Sequence, residues 1–274
     1  MEENEQAEKN NSENASGIEK LSQPEGSHIS RTIAVMSGKG GVGKSSISAL
    51  LAVALIKQGY RVGLLDADIT GSSIPKLFGL NDQAKVVEGK IIPETSKLGI
   101  KIISLNLLLP QEDDPVVWRG PLIGGAVKQF WTDVLWGELD YLIVDLPPGT
   151  GDAPLTVLQS LPLDGLLIVS SPQDLAVMVV KKAIKMARMM DTQILGLVEN
   201  MSGMTCPHCG KEIEMFGKSS AEEVARATGI ELIGCLPLDP RLSKLGDSGA
   251  IEEFQTNLFD NINDKFYEIL RETN

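Results

Sequence analysis

Gly38-Lys39-Gly40-Gly41-Val42-Gly43-Lys44-Ser45 is a glycine-rich run ending in an ammonium and a hydroxyl. Glycines let successive backbone N–H groups turn toward one anion, and a helix starting at the lysine adds its N-terminal dipole. Lys44 then reaches the β- and γ-phosphates of a nucleotide, and the Ser45 hydroxyl binds Mg²⁺. The expected nucleotide contacts are Gly38, Lys39, Gly40, Gly41, Val42, Gly43, Lys44, Ser45 and Ser46. An ordinary phosphate loop does not need Lys39. It is either a solvated loop lysine or an ammonium set over the phosphates of a facing subunit, an arginine-finger role carried by lysine.

Two carboxylate groups stand where such a site needs them. Asp66 closes an apolar run, and Asp68 opens the loop Ile69–Ser73. Asp145 closes a second run and leads into Leu146-Pro147-Pro148-Gly149-Thr150-Gly151-Asp152. Asp145 is the expected Mg²⁺ carboxylate, and Asp68 the residue that orients the attacking water. Gly149 and Gly151 let their loop respond to the γ-phosphate. Asp152 is either part of that loop or the cap of the helix beginning near Pro154.

The third feature is Cys206-Pro207-His208-Cys209-Gly210. A redox pair belongs at the start of a thioredoxin-type βαβ unit, and this motif comes late in the chain. A metal reading needs more ligands. One chain supplies two thiolates, whereas tetrahedral zinc and a [4Fe–4S] cluster each want four ligands. A two-fold dimer presents the same loop twice. The pair therefore predicts a cluster, or a zinc, shared across a dimer axis. The third cysteine, Cys235, is expected to be an inert core thiol.

These residues need strands to carry them to one place. Apolar runs without strict alternation predict strands at Thr32–Met36, Val62–Asp66, Lys101–Ser104, Tyr141–Asp145, Gly165–Ser170, Ile194–Asn200 and Glu231–Cys235. Helical patterns fall at Lys44–Gln58, Leu122–Leu135, Pro154–Leu161, Leu175–Met190, Ser219–Thr228 and Phe254–Arg271. The alternation predicts an α/β fold: a doubly wound, mostly parallel sheet of the P-loop type, with helices on both faces and ligands beyond the strands' carboxyl ends. The methionines Met178, Met186, Met189 and Met190 are expected to fill core space.

Composition limits the partners. The 274 residues carry a formal charge of −12, which repels nucleic acid and anionic lipid. No run approaches the length of about 20 apolar residues that spans a bilayer. The acidic start is unlike a signal peptide, and the odd cysteine count is unlike a disulfide framework, so the expected compartment is the cytoplasm. Residues 1–28 hold seven acids against two bases and almost nothing bulky, so a disordered acidic tail is expected, followed by one ATPase domain over 29–274.

The phosphate loop, Asp66-Ala67-Asp68, Trp118-Arg119-Gly120-Pro121, Asp145–Asp152, Val198–Ser202 and the cysteine pair together resemble the Mrp/ApbC family of iron–sulfur cluster carrier ATPases, relatives of MinD and ParA. The resemblance covers about residues 30–270. It implies a dimer whose nucleotide sites face each other, with Lys39 acting in trans and slow ATP hydrolysis. It also implies that Asn200 bonds adenine, that Pro237–Asp239 closes the base pocket, and that Cys206 and Cys209 share a labile [4Fe–4S] cluster destined for apoproteins. The alternatives are a MinD- or ParA-like positioning or partition ATPase and a zinc-bridged regulatory dimer. The first fits poorly with residues 251–274, where six acids outnumber two bases.

Overall fold

The structure, a computed structural model, describes residues 26–68, 71–81, 83–104, 107, 120–172 and 176–271. The tail up to residue 25, loop residues 69 and 70, and Trp118 and Arg119 lie outside the described residues.

In chain order the elements are β1 (His28–Ser37), α1 (Lys44–Lys57), β2 (Val62–Asp66), α2 (Ile74–Leu77), β3 (Lys85–Val87), β4 (Lys90–Ile92), β5 (Glu94–Thr95) and β6 (Lys101–Ser104). Then come α3 (Gly120–Thr132), β7 (Glu138–Asp145), α4 (Asp152–Ser160), β8 (Gly165–Ser170), α5 (Ala176–Met189) and β9 (Ile194–Asn200). The chain goes on through β10 (Met204–Thr205), β11 (Glu212–Ile213), α6 (Ala221–Thr228), β12 (Leu232–Leu236), α7 (Pro240–Asp247), a 3₁₀ turn at Ile251–Glu253 and α8 (Ile262–Arg271).

Eight strands form one sheet in the order β12-β9-β8-β1-β7-β2-β6-β5. Every neighbouring pair is parallel except β5 with β6. β8, Gly-Leu-Leu-Ile-Val-Ser, is buried at all six positions, as a central strand covered on both faces must be. One face packs against α3, α4 and α5 through residues such as Phe130, Trp131, Val157, Val180 and Ile184. The other packs against α1 and the C-terminal segment through Ile47, Leu50, Leu51, Phe259 and Phe266. This is the doubly wound sheet that the alternation predicts.

The register sets the functional end of the molecule. Asp66 on β2 pairs with Asp145 on β7, and Val35 on β1 pairs with the same Asp145. Asn200 ends β9 beside Leu236 of β12. All these positions lie at carboxyl ends, where the loops converge.

Two expectations need correction, and one helix is additional. The helix predicted over Phe254–Arg271 begins only at Ile262. Before it, Phe254 and Phe259 are pinned in the core, and the Gln-Thr-Asn and Asp-Asn segments turn rather than wind. Strand β1 begins at His28, inside the expected tail, because His28 and Ile29 pair with Glu138 and Leu139. Helix α7 has no counterpart in the sequence reading. Asp239 caps it by accepting from the Arg241 N–H at 2.8 Å, and Pro240 fits the first turn.

Candidate nucleotide site and cysteine hairpin

The phosphate loop turns tightly between β1 and α1. Gly41 and Gly43 take φ of +79° and +78°, a left-handed conformation that favours glycine. Gly38 is needed for closeness instead. A Cβ there would fall 1.9 Å from Val179 Cγ1, so α5 packs directly onto the loop. Behind the loop, the Ser37 hydroxyl donates to the Lys39 carbonyl at 3.0 Å, and the Gly149 N–H donates to the Ser37 carbonyl at 2.9 Å. The loop after β7 is thereby tied to the phosphate loop. Lys39 itself is half-buried.

Lys44 and Ser45 converge on Asp145. Lys44 Nζ lies 2.8 Å from Asp145 Oδ2, with the lysine 5% and the aspartate 0% exposed. Ser45 Oγ donates to the same oxygen at 2.6 Å, and Ser48 Oγ donates to Oδ1 at 2.6 Å. The ammonium faces this carboxylate as a close ion pair without an aligned hydrogen bond. An ammonium has three protons to place, so a phosphate oxygen is a further acceptor that this buried position suits. The Ser45 hydroxyl and the Asp145 carboxylate fit a divalent cation at the same point, both being hard oxygen donors. Ser48 was missed in the sequence. It stands one turn after Ser45 on α1, and its role depends on Asp145, which is 97 residues away.

Asp66 was also underrated. It is 1% exposed and lies beside Asp145 across the β2–β7 register. Burial first, and then the charge of Asp145, push its carboxyl up to about 7. Its Oδ2 accepts from Ser72 Oγ at 2.6 Å and from the Ile74 N–H at 3.3 Å, and Oδ1 accepts from the Asp68 N–H at 3.1 Å. Asp66 thus shapes the turn that carries Asp68, itself buried, toward the same end of the sheet. Asp152 is not a helix cap. Gly151 takes that position, and Asp152 lies in the first turn of α4.

Beside the phosphate loop is a cleft of about 430 Å³, lined by Gly43, Ser46, Asn200, Met201, Pro237, Leu238, Asp239 and neighbours on α2 and α7. Asn200 Nδ2 donates to the Val42 carbonyl at 2.9 Å, and its Oδ1 accepts from the Met201 N–H at 3.0 Å. Asn200 therefore braces the phosphate loop as well as facing the cleft. Asp239 lies at the cleft wall, engaged with the α7 cap and Arg241.

The cysteine pair sits at the tip of the antiparallel β10–β11 hairpin. The turn is closed by the Cys206 N–H to the Lys211 carbonyl at 2.8 Å and the Gly210 N–H to the Cys206 carbonyl at 2.9 Å, with Gly210 at φ +71°. Cys206 is half-buried and Cys209 exposed. The backbone N–H of His208 first, then that of Cys209 and the Cys209 thiol, hold Cys206 below the usual thiol range, favouring the thiolate that binds metal. Among the described residues, no cluster of three or more His, Cys, Asp or Glu side chains gathers here or elsewhere to hold a metal. Cys235, expected in the core, is exposed instead. It lies on the edge strand β12 and faces a cleft between that strand and the hairpin.

The family model described as NUBPL iron-transfer P-loop NTPase matches residues 28–273. The chain belongs to that family. Among curated relatives of this NTPase is an iron–sulfur cluster carrier protein of Methanocaldococcus jannaschii, 48% identical over 225 residues, covering 81% of this chain and 78% of the relative. A nucleotide-binding protein from Archaeoglobus fulgidus, solved in complex with ADP, is 49% identical with a TM-score of 0.77, covering 85% of this chain and 92% of that one. The Aquifex aeolicus MinC–MinD cell-division complex superposes with a TM-score of 0.60 at 21% identity, covering 89% and 95%, a likeness of fold alone.

Proposed function

We propose that this NTPase is an ATP-binding and ATP-hydrolysing carrier that holds a [4Fe–4S] cluster between two copies and transfers it to apoproteins. The observation that carries the reading is the hairpin: two neighbouring thiols, one half-buried and one exposed, with no third ligand among the described residues, set on a fold built around a phosphate loop. Relatives at 42–49% identity bear the name iron–sulfur cluster carrier protein, which agrees with it.

In this reading the backbone N–H groups of Gly38–Ser46 cradle the phosphates, and Lys44 neutralises the β- and γ-oxygens. Ser45 and Asp145 would hold Mg²⁺, which would supply positive charge to the phosphate oxygens. Asn200, Pro237 and Asp239 line the seat of the base. Asp68 orients water for attack on the γ-phosphorus, and Lys39 meets the phosphates of the facing copy. The Gly149 tie between the two loops gives nucleotide state a route to the rest of the dimer. A cytoplasmic setting suits reduced thiols. Among the described residues, no helix is long and apolar enough to cross a membrane.

The test is reconstitution under anaerobic conditions, followed by incubation with an apo-enzyme whose activity requires a [4Fe–4S] cluster. The expected result is activation by the wild-type chain and none by Cys206→Ser/Cys209→Ser. Lys44→Ala should lose ATP hydrolysis yet keep iron and sulfide. Equal activation by the double-serine chain sinks the proposal, and so does a dimer that binds only zinc.

A further inference from the structure

Helix α5 carries an isolated positive surface. Its sequence from Ala176 to Met189 contains Lys181, Lys182, Lys185 and Arg188 and no acid, in a chain of net charge −12. Lys181, Lys185 and Arg188 share one face by helical spacing. All four cations are exposed, and none is paired with a described carboxylate. They line a groove of about 660 Å³ between α5 and the end of α6, whose described lining residues include no acidic side chain. The groove also has an apolar component. Met178, expected in the core, is 48% exposed there, while only Met186 of its group is buried. Arg188 complements the C-terminal dipole of α5, which accounts for one of the four charges and not for the run.

The chain contains a segment complementary to this groove. Residues 1–25 hold seven glutamates against Lys9 and Lys20, a net −5, together with the apolar pair Ile18 and Leu21. They lead directly into β1, and α5 packs on β1 and β8. The 14 residues of α5 span about 21 Å, whereas 25 residues of extended chain reach up to about 80 Å. We propose that the acidic segment 1–25 docks in the α5 groove of its own chain, its glutamates facing the four cations and its apolar residues facing Met178. Tethering makes a weak contact sufficient. At an effective concentration of about 1 mM, a contact of Kd about 0.1 mM is closed about 90% of the time.

The experiment compares the full chain with its Lys181→Gln/Lys182→Gln/Lys185→Gln/Arg188→Gln variant in low-salt buffer. Cleavage by a glutamate-specific protease after Glu8, Glu13 and Glu19 is followed by mass spectrometry. Releasing a segment that is closed 90% of the time predicts cleavage about tenfold faster in the variant. Rates within twofold, with matching circular dichroism and urea midpoints, overturn the proposal. Zero-length carbodiimide cross-linking of mixed isotopically heavy and light wild-type chains gives the second reading. Links from the segment's glutamates to Lys181, Lys182 and Lys185 within one chain are expected. Links mainly to other lysines, or mainly between heavy and light chains, overturn docking within the chain.

Discussion

Replacing Asp145 by Asn tests what holds the phosphate site together before nucleotide binds. Among the described residues the carboxylate paired with the buried Lys44 ammonium is Asp145, 2.8 Å away, with both groups at or below 5% exposure, and the buried Asp66 also feels the lysine's charge. Removing one partner of a buried pair typically costs about 3–5 kcal/mol, because the other charge is left uncompensated. Here the loss is trimmed. The charge of Asp145 also raises Asp66, and the substitution relieves that repulsion. The lower end, about 3 kcal/mol, is therefore expected in urea unfolding without nucleotide. A phosphate supplies the missing counter-charge, and in the variant it no longer competes with a carboxylate for Lys44. With EDTA present to remove metal, ADP should then bind Asp145→Asn about 5- to 30-fold more tightly than wild type, equivalent to one or two kcal/mol. Paired urea titrations and calorimetric ADP titrations give both numbers. A loss under about 1 kcal/mol without nucleotide, or ADP binding no tighter than in wild type, refutes the reasoning.

Two other outcomes follow from the same geometry. Asp66 is raised to about 7 by burial and by Asp145, so between the ordinary carboxylate range and that value the folded state holds a proton the unfolded chain has released. That contribution to stability is complete below about pH 4 and is lost as pH rises to 7, by up to about 4 kcal/mol. Urea midpoints from pH 5 to 8 should fall less steeply in Asp66→Asn than in wild type. Asp239→Ala removes the cap of α7 and should cost about 0.5–2 kcal/mol, and because α7 lines the cleft proposed to seat the base, ADP affinity should fall with it.

Some of this architecture is legible in the amino-acid sequence, for reasons that differ between elements. β2, β6, β8 and β9 take the expected bounds because strands buried on both faces read as unbroken apolar runs. The hairpins β3–β4 and β10–β11 do not announce themselves. They are two or three residues per strand, and β3 and β11 are exposed throughout. Helix α7 was signalled by Asp239-Pro240, a cap followed by a first-turn proline, but its few apolar residues hide the period. The phosphate loop is local and self-announcing. The raised Asp66 and the brace from Ser48 depend on β2 and α1 meeting β7, a register that no local pattern encodes. Cys235 shows the opposite error. Cysteine is usually buried, but on an edge strand alternate side chains can face a cleft.

The central claim is that two copies of this chain share one cluster through Cys206 and Cys209. Native mass spectrometry of anaerobically reconstituted protein, with iron, sulfide and zinc quantified in the same sample, tests it most directly. The account predicts a dimer carrying one unit of four irons and four sulfides, from the four-thiolate requirement, and lost in Cys206→Ser/Cys209→Ser. A cluster on single chains, a dimer with zinc and no sulfide, or a double-serine variant with its iron intact would contradict it.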